Sequence, residues 1–194
     1  MRWLAAWAAL TLLASSAGAQ EDAAKACQSG AADLSGVLEC LGRTGPARPY
    51  DDASGKACAR LANEKFLRPV QGKTVLRYGD ATQYGSRSKG VVIETRPAAQ
   101  VVAPVDSLVT YAGEFRSYGK LLLLDPGCGM TFLLAGVAEA DVVHGQLVLA
   151  GEPVGVMSRT AAASSPAAES YPVLYVELRR ARVPIDPGPD IASP

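Results

Sequence analysis

Histidine is nearly absent: one residue, His144, in a chain of 194. That scarcity excludes much. A hydrolytic zinc site takes its ligands from His, Asp, Glu or Cys and keeps one position open beside a general base. His144 stands in a Val-Val-His-Gly turn with no partner at ligand spacing. Serine–histidine and cysteine–histidine catalysis would both need this one residue as base, and no Gly-x-Ser-x-Gly elbow accompanies it. A Gly-rich phosphate loop is missing too. Glu94, Glu114, Asp125 and Glu177 share no recognisable carboxylate motif. Charge is balanced, with 19 Lys and Arg against 19 Asp and Glu, which leaves no electrostatic footprint for nucleic acid or an anionic membrane. Beyond the first residues no apolar run is long enough for a membrane helix. The sequence therefore predicts no catalytic residue, no metal, no cofactor, no nucleic-acid partner and no membrane span.

What is present begins with an export signal over residues 1–19. Arg2 is its charged start, Leu4 to Ala14 its apolar run, and Ala17-Gly18-Ala19 its small-residue cleavage site. Removing it leaves about 175 residues, enough for one domain with a short appendage. Cys27, Cys40, Cys58 and Cys128 remain, and an even number in an exported chain favours disulfides, with three connectivities that sequence does not rank. Full pairing ties the segment holding the first three to the domain holding Cys128. Residues 20–65 read as helical: Leu34, Val37, Leu38 and Leu41 form a stripe capped by Gly42, and a second helix after Asp51–Ser54 buries Ala57, Cys58, Leu61 and Ala62.

From Phe66 the character turns to β. Residues 66–80 open with a Pro-Val-x-Gly turn and a short strand ending at Gly79-Asp80, and further strands are expected over 91–96, 100–104, 107–115, 120–125 and 130–137, with turns at Pro97-Ala98, Tyr118-Gly119 and Pro126–Gly129. His144 to Gly155 keeps a Gly-bounded strand rhythm, and Ala161 to Ser170 is a small-residue loop. The last strand, in YPVLYVELRRARVPIDP from Tyr171 to Pro187, alternates: Val173, Tyr175 and Glu177 share one face, Leu174, Val176 and Leu178 the other. The Pro184 to Pro189 segment ends it.

These landmarks resemble the lysostaphin-like (LytM-domain) zinc metallopeptidases. The likeness runs from Phe66 to Pro187 and rests on Arg77-Tyr78-Gly79, Ser88 to Ile93, Val102-Ala103-Pro104, Val109 to Gly113, Tyr118 to Leu121, Gly127 to Gly136, Leu149 to Gly155 and the closing strand. It implies a mainly β fold: an antiparallel lysostaphin-like sheet domain over 66–190 behind the short helical segment. In the active peptidases a His-x-Gly-x-Asp segment supplies two zinc ligands; here Ser88 and Val92 hold those positions. Gly136 stands for a catalytic His, and Val173 and Tyr175 for a His-x-His pair.

The emptied positions resemble the catalytically degenerate EnvC-like murein hydrolase activators. That likeness implies a non-catalytic, soluble periplasmic regulator that binds and activates a zinc N-acetylmuramoyl-L-alanine amidase during cell-wall remodelling and daughter-cell separation. A peptidoglycan-binding or scaffolding module using the same cleft is the alternative. Carried over position by position, the resemblance assigns partner binding to Lys89, Val92, Tyr118, Leu134, Tyr175 and Arg179, with Tyr175 and Arg179 on one strand face. Read without it, Val92 and Leu134 are core, Tyr118 is a turn aromatic, and Lys89 and Arg179 are solvated surface.

Overall fold

The strands grow from runs in which one side chain in two is apolar, or in which aliphatic residues fill both faces. The structure, a computed structural model, describes residues 61, 65–115, 119–159 and 171–192. The expected signal segment, almost all of the helical segment, Cys27, Cys40, Cys58, Tyr118 and the 161–170 loop lie outside the described residues. The described chain is mainly antiparallel β: β1 (Gly72–Leu76), β2 (Val91–Thr95), β3 (Gln100–Val102), β4 (Ser107–Glu114), β5 (Lys120–Gly127), β6 (Met130–Val137), β7 (Glu139–Ala140), β8 (Leu147–Val148), β9 (Pro153–Val156), β10 (Val173–Arg180) and β11 (Val183–Ile185). A single helical turn, α1 (Pro189–Ala192), follows.

The larger sheet has the order β1-β2-β10-β6-β5-β4-β8, with β11 paired to β10. A second, three-stranded sheet runs β3-β9-β7. Strand β10 thus lies inside the large sheet, hydrogen-bonded to β2 on one side and β6 on the other. This central place suits its apolar content.

Register sets which side chains share a face, since residues directly opposite across an antiparallel pair point the same way. Leu174, Val176 and Leu178 of β10, Val91 and Ile93 of β2, Phe132 and Leu134 of β6, and Leu122 and Leu124 of β5 face the main core. Phe66 packs its ring edge-on against Phe132, centroids 4.9 Å apart. Leu61, expected to be buried, is buried in this core.

The other face carries a second apolar layer. One row crosses the sheet as Val92, Tyr175, Ala135, Leu121 and Gly113; the next runs Glu177, Leu133, Leu123 and Tyr111. Leu121 and Leu133 are fully buried, yet they stand outside the main core cluster. Strands β5 and β6 are therefore apolar on both sides, which is why they read as continuous leucine runs rather than alternating ones.

Two elements depart from the sequence expectation. The chain does not leave the sheet at Pro184: it turns at Ala181-Arg182 and returns as β11, pairing Arg180 with Val183 and Arg179 with Pro184. Proline is tolerated there because β11 pairs off the main path of the sheet, as an edge strand. The two-residue strand β7 completes the small sheet and is too short to leave a periodic signal.

Candidate functional site

The second face gathers most of the residues singled out by sequence around β10. Tyr175 lies directly opposite Val92 on one neighbour and Ala135 on the other. Its ring lies close against Gly90: a Cβ there would come within 2.9 Å of the ring and would also collide with the Val176 carbonyl. Glycine at 90 is thus required by close approach. Ser88, buried beside it, donates its hydroxyl to the Gly90 carbonyl oxygen at 2.8 Å.

Along β10 three polar side chains form a chain two residues apart. The Tyr175 hydroxyl donates to Glu177 Oε2 at 2.5 Å, and Arg179 Nε donates to Glu177 Oε1 at 2.5 Å. The ion pair is largely buried, with side-chain exposures of 9% for Arg179 and 1% for Glu177. A carboxylate this deep is tolerated because both oxygens are bonded and its charge is matched. Burial foremost, then the charge of Glu177 and the bond to it, hold the Tyr175 hydroxyl well above the ordinary tyrosine pKa, against the opposing pull of Arg179.

Tyr111 is a member of this face that sequence reasoning missed. Its ring lies over Gly113, and its hydroxyl donates to the Glu114 carbonyl at 3.1 Å. The signal was present but disguised: a bulge between Val109 and Tyr111 shifts the parity of β4.

Lys89 is exposed, between the buried Ser88 and Gly90 in the chain. Arg179 shares the Tyr175 face but is buried by its ion pair rather than solvated. Leu134 is not brought to this face. It stands opposite Val176 and is fully buried in the main core, so the β6 residues beside Tyr175 and Glu177 are Ala135 and Leu133. His144 sits in the exposed turn before β8, away from these rows, its pKa lowered by partial burial. A pocket of about 220 Å³, bounded by Leu61, Phe66, Met130, Leu178 and Ile185, opens on core-side residues and is no part of this face.

The residues at the inferred ligand positions do not fit a zinc ion. Val92 offers no donor atom, Ser88 Oγ is already bonded to the Gly90 carbonyl, and the Tyr175 hydroxyl is directed to Glu177. Among the described residues no group of three His, Cys, Asp or Glu is placed to hold a metal.

Fold and site together define a class. Residues 86–187, just over half of the chain, match Peptidase family M23, and the chain belongs to that family. Among curated relatives it is 33% identical over 121 residues to the murein hydrolase activator EnvC of Escherichia coli strain K12. The match covers 62% of this chain and spans only 27% of that activator. A putative peptidase M23 from Pseudomonas aeruginosa superposes with a TM-score of 0.53 at 20% identity, covering 66% of this chain and 50% of that one. The catalytic domain of the antimicrobial peptidase lysostaphin from Staphylococcus simulans gives 0.50 at 18% identity, covering 63% and 93%. At those identities the likeness is one of fold, and the fold is lysostaphin-like.

Proposed function

We propose that this chain is a non-catalytic periplasmic regulator that binds and activates a peptidoglycan amidase of the N-acetylmuramoyl-L-alanine type, in cell-wall remodelling and daughter-cell separation. The observation that carries this reading is the Val92–Tyr175 row. Where the family resemblance places metal ligands, an apolar side chain and an aromatic ring braced by Glu177 stand side by side on a buried leucine floor. An aromatic anchor with apolar neighbours and a charged rim at Lys89 has the composition of a protein-docking surface. The kinship with the murein hydrolase activator supports the kind of partner. No membrane-spanning helix is found among the described residues, which is compatible with a periplasmic site of action.

The test mixes the purified chain with a zinc amidase of the cell wall and dye-labelled sacculi. The chain alone is expected to release no label, and amidase release is expected to rise several-fold when the chain is added. Lys89→Glu and Val92→Arg should lower that stimulation at least tenfold while leaving the folded state intact. Arg179→Ala is the poorer probe, because it strands a buried carboxylate and costs about 3–5 kcal/mol of stability by itself. Release of label by the chain alone would overturn the reading. Binding to sacculi with no effect on the amidase would mark a wall-binding module instead.

A further inference from the structure

The chain from Tyr175 through Glu177 to Arg179 leaves half of a buried cation unused. Glu177 takes the Nε edge of the guanidinium, and among the described residues no other protein group bonds Arg179. The side chain is nine-tenths buried, at 9% exposure, yet neither Nη nitrogen is sealed from solvent. A guanidinium is a rigid planar fork, and its Nη edge matches the two oxygens of a carboxylate. Donors held this deep without partners are unfavourable unless something completes them. Thr131 stands directly opposite Arg179 on β6, half-buried, and its hydroxyl likewise has no bond among the described residues. On the other side of Arg179 lies Pro184, which has no N–H to offer.

We propose that the free edge of Arg179, with the Thr131 hydroxyl beside it, is a receptor for one carboxylate carried by the protein segment that docks on this face. This rests on the docking role given above and names the chemistry of the partner: an Asp or Glu side chain in an otherwise apolar segment. The apolar surroundings follow from Val92, Tyr175 and Val173, the accessible members of the adjoining rows. A single negative charge is favoured over a phosphate dianion because Glu177 already matches the guanidinium's charge and repels further charge. Glu177 is the positioning residue, fixing the plane in which the fork is presented.

The experiment follows the side-chain nitrogens of ¹⁵N-arginine-labelled chain by NMR during titration with N-acetyl-glutamate methylamide, and separately with the glutamine analogue. The glutamate probe should shift Arg179 Nε and Nη resonances saturably, at least tenfold more tightly than the glutamine probe. Thr131→Val, which keeps the strand shape, should weaken the response several-fold. Glu177→Gln keeps the acceptor for Nε but removes the countercharge, so it should tighten glutamate binding several-fold; a merely structural brace predicts no such gain. Equal responses to the two probes, or none, would overturn the receptor. A muropeptide with free stem-peptide carboxylates that binds tighter than the glutamate probe would overturn the protein source. The amidase assay separates the two readings. Arg179 binding carboxylate in a chain that leaves the amidase unstimulated condemns the docking role and not the receptor. Normal stimulation with a silent Arg179 condemns the receptor alone.

Discussion

Tyr175 concentrates burial, charge and hydrogen bonding on one hydroxyl. Its folded pKa is raised, first by burial and then by Glu177, so the sign of its linkage is fixed: its contribution is fully present below the unfolded tyrosine value of about 10 and is lost as pH climbs from there toward the folded value. At pH 7 Tyr175→Phe should cost about 1–2 kcal/mol, because Glu177 Oε2 loses its donor. Above pH ~10 the wild type should lose about 1.4 kcal/mol per pH unit relative to the Phe variant, closing the gap near pH 11. Urea unfolding at stepped alkaline pH measures it, and a gap that stays constant to pH 12 would refute the assignment. At this same scale the sequence was partly legible. The β10 faces followed from alternation of polar and apolar residues, but Leu134 lies in a strand that is apolar on both sides, where parity leaves no mark. A one-residue difference decides the face there, and only pairing with Val176 resolves it.

Strands of five or more residues were readable because their alternation or leucine content persists over several pairs; the turns were less so. The β5–β6 hairpin closes with Cys128-Gly129 at φ 57° and 68°, and the glycine advertises it. The β10–β11 hairpin closes with Ala181-Arg182 at φ 47° and 70°, the same left-handed pair without a glycine or asparagine. A two-residue connection with both φ positive is the primed turn that matches strand twist, and it ordinarily selects Asn-Gly. Each L-residue held there costs about 1–2 kcal/mol. The two turns touch, Ala181 N–H donating to the Gly129 carbonyl at 2.8 Å, so tertiary contact holds a conformation that local sequence resists. Replacing Ala181-Arg182 by Asn-Gly should therefore stabilise the domain by about 1 kcal/mol and raise its melting temperature by several degrees. A fall in melting temperature would mean that the present side chains make contacts outweighing the strain.

At the scale of the whole sheet, the site is a meeting of segments far apart in the chain: the 88–92 approach to β2, the end of β6 at Gly136, and β10. What brings them together is backbone proximity rather than side-chain ligation. Gly90 lets β2 come against Val176 and the Tyr175 ring, and Gly136, at φ 102°, lies against the Val173 carbonyl oxygen so closely that any Cβ would collide with it. The position that resemblance assigns to a catalytic histidine is thus closed by main chain, which no rotamer of a neighbour can relieve. This could not be read from sequence, where Gly136 is one glycine among 19. The collision is with backbone and the φ is one that L-residues rarely adopt, so Gly136→Ala should lower stability by about 3 kcal/mol. Gly136→His should do no better, and zinc added to that variant should not restore its unfolding midpoint, because the strain remains and Val92 and Val173 still offer no donor atom. Recovery of wild-type stability by Gly136→His, with or without zinc, would show that β6 and β10 can part to admit a side chain, and that the face retains the freedom of an active peptidase.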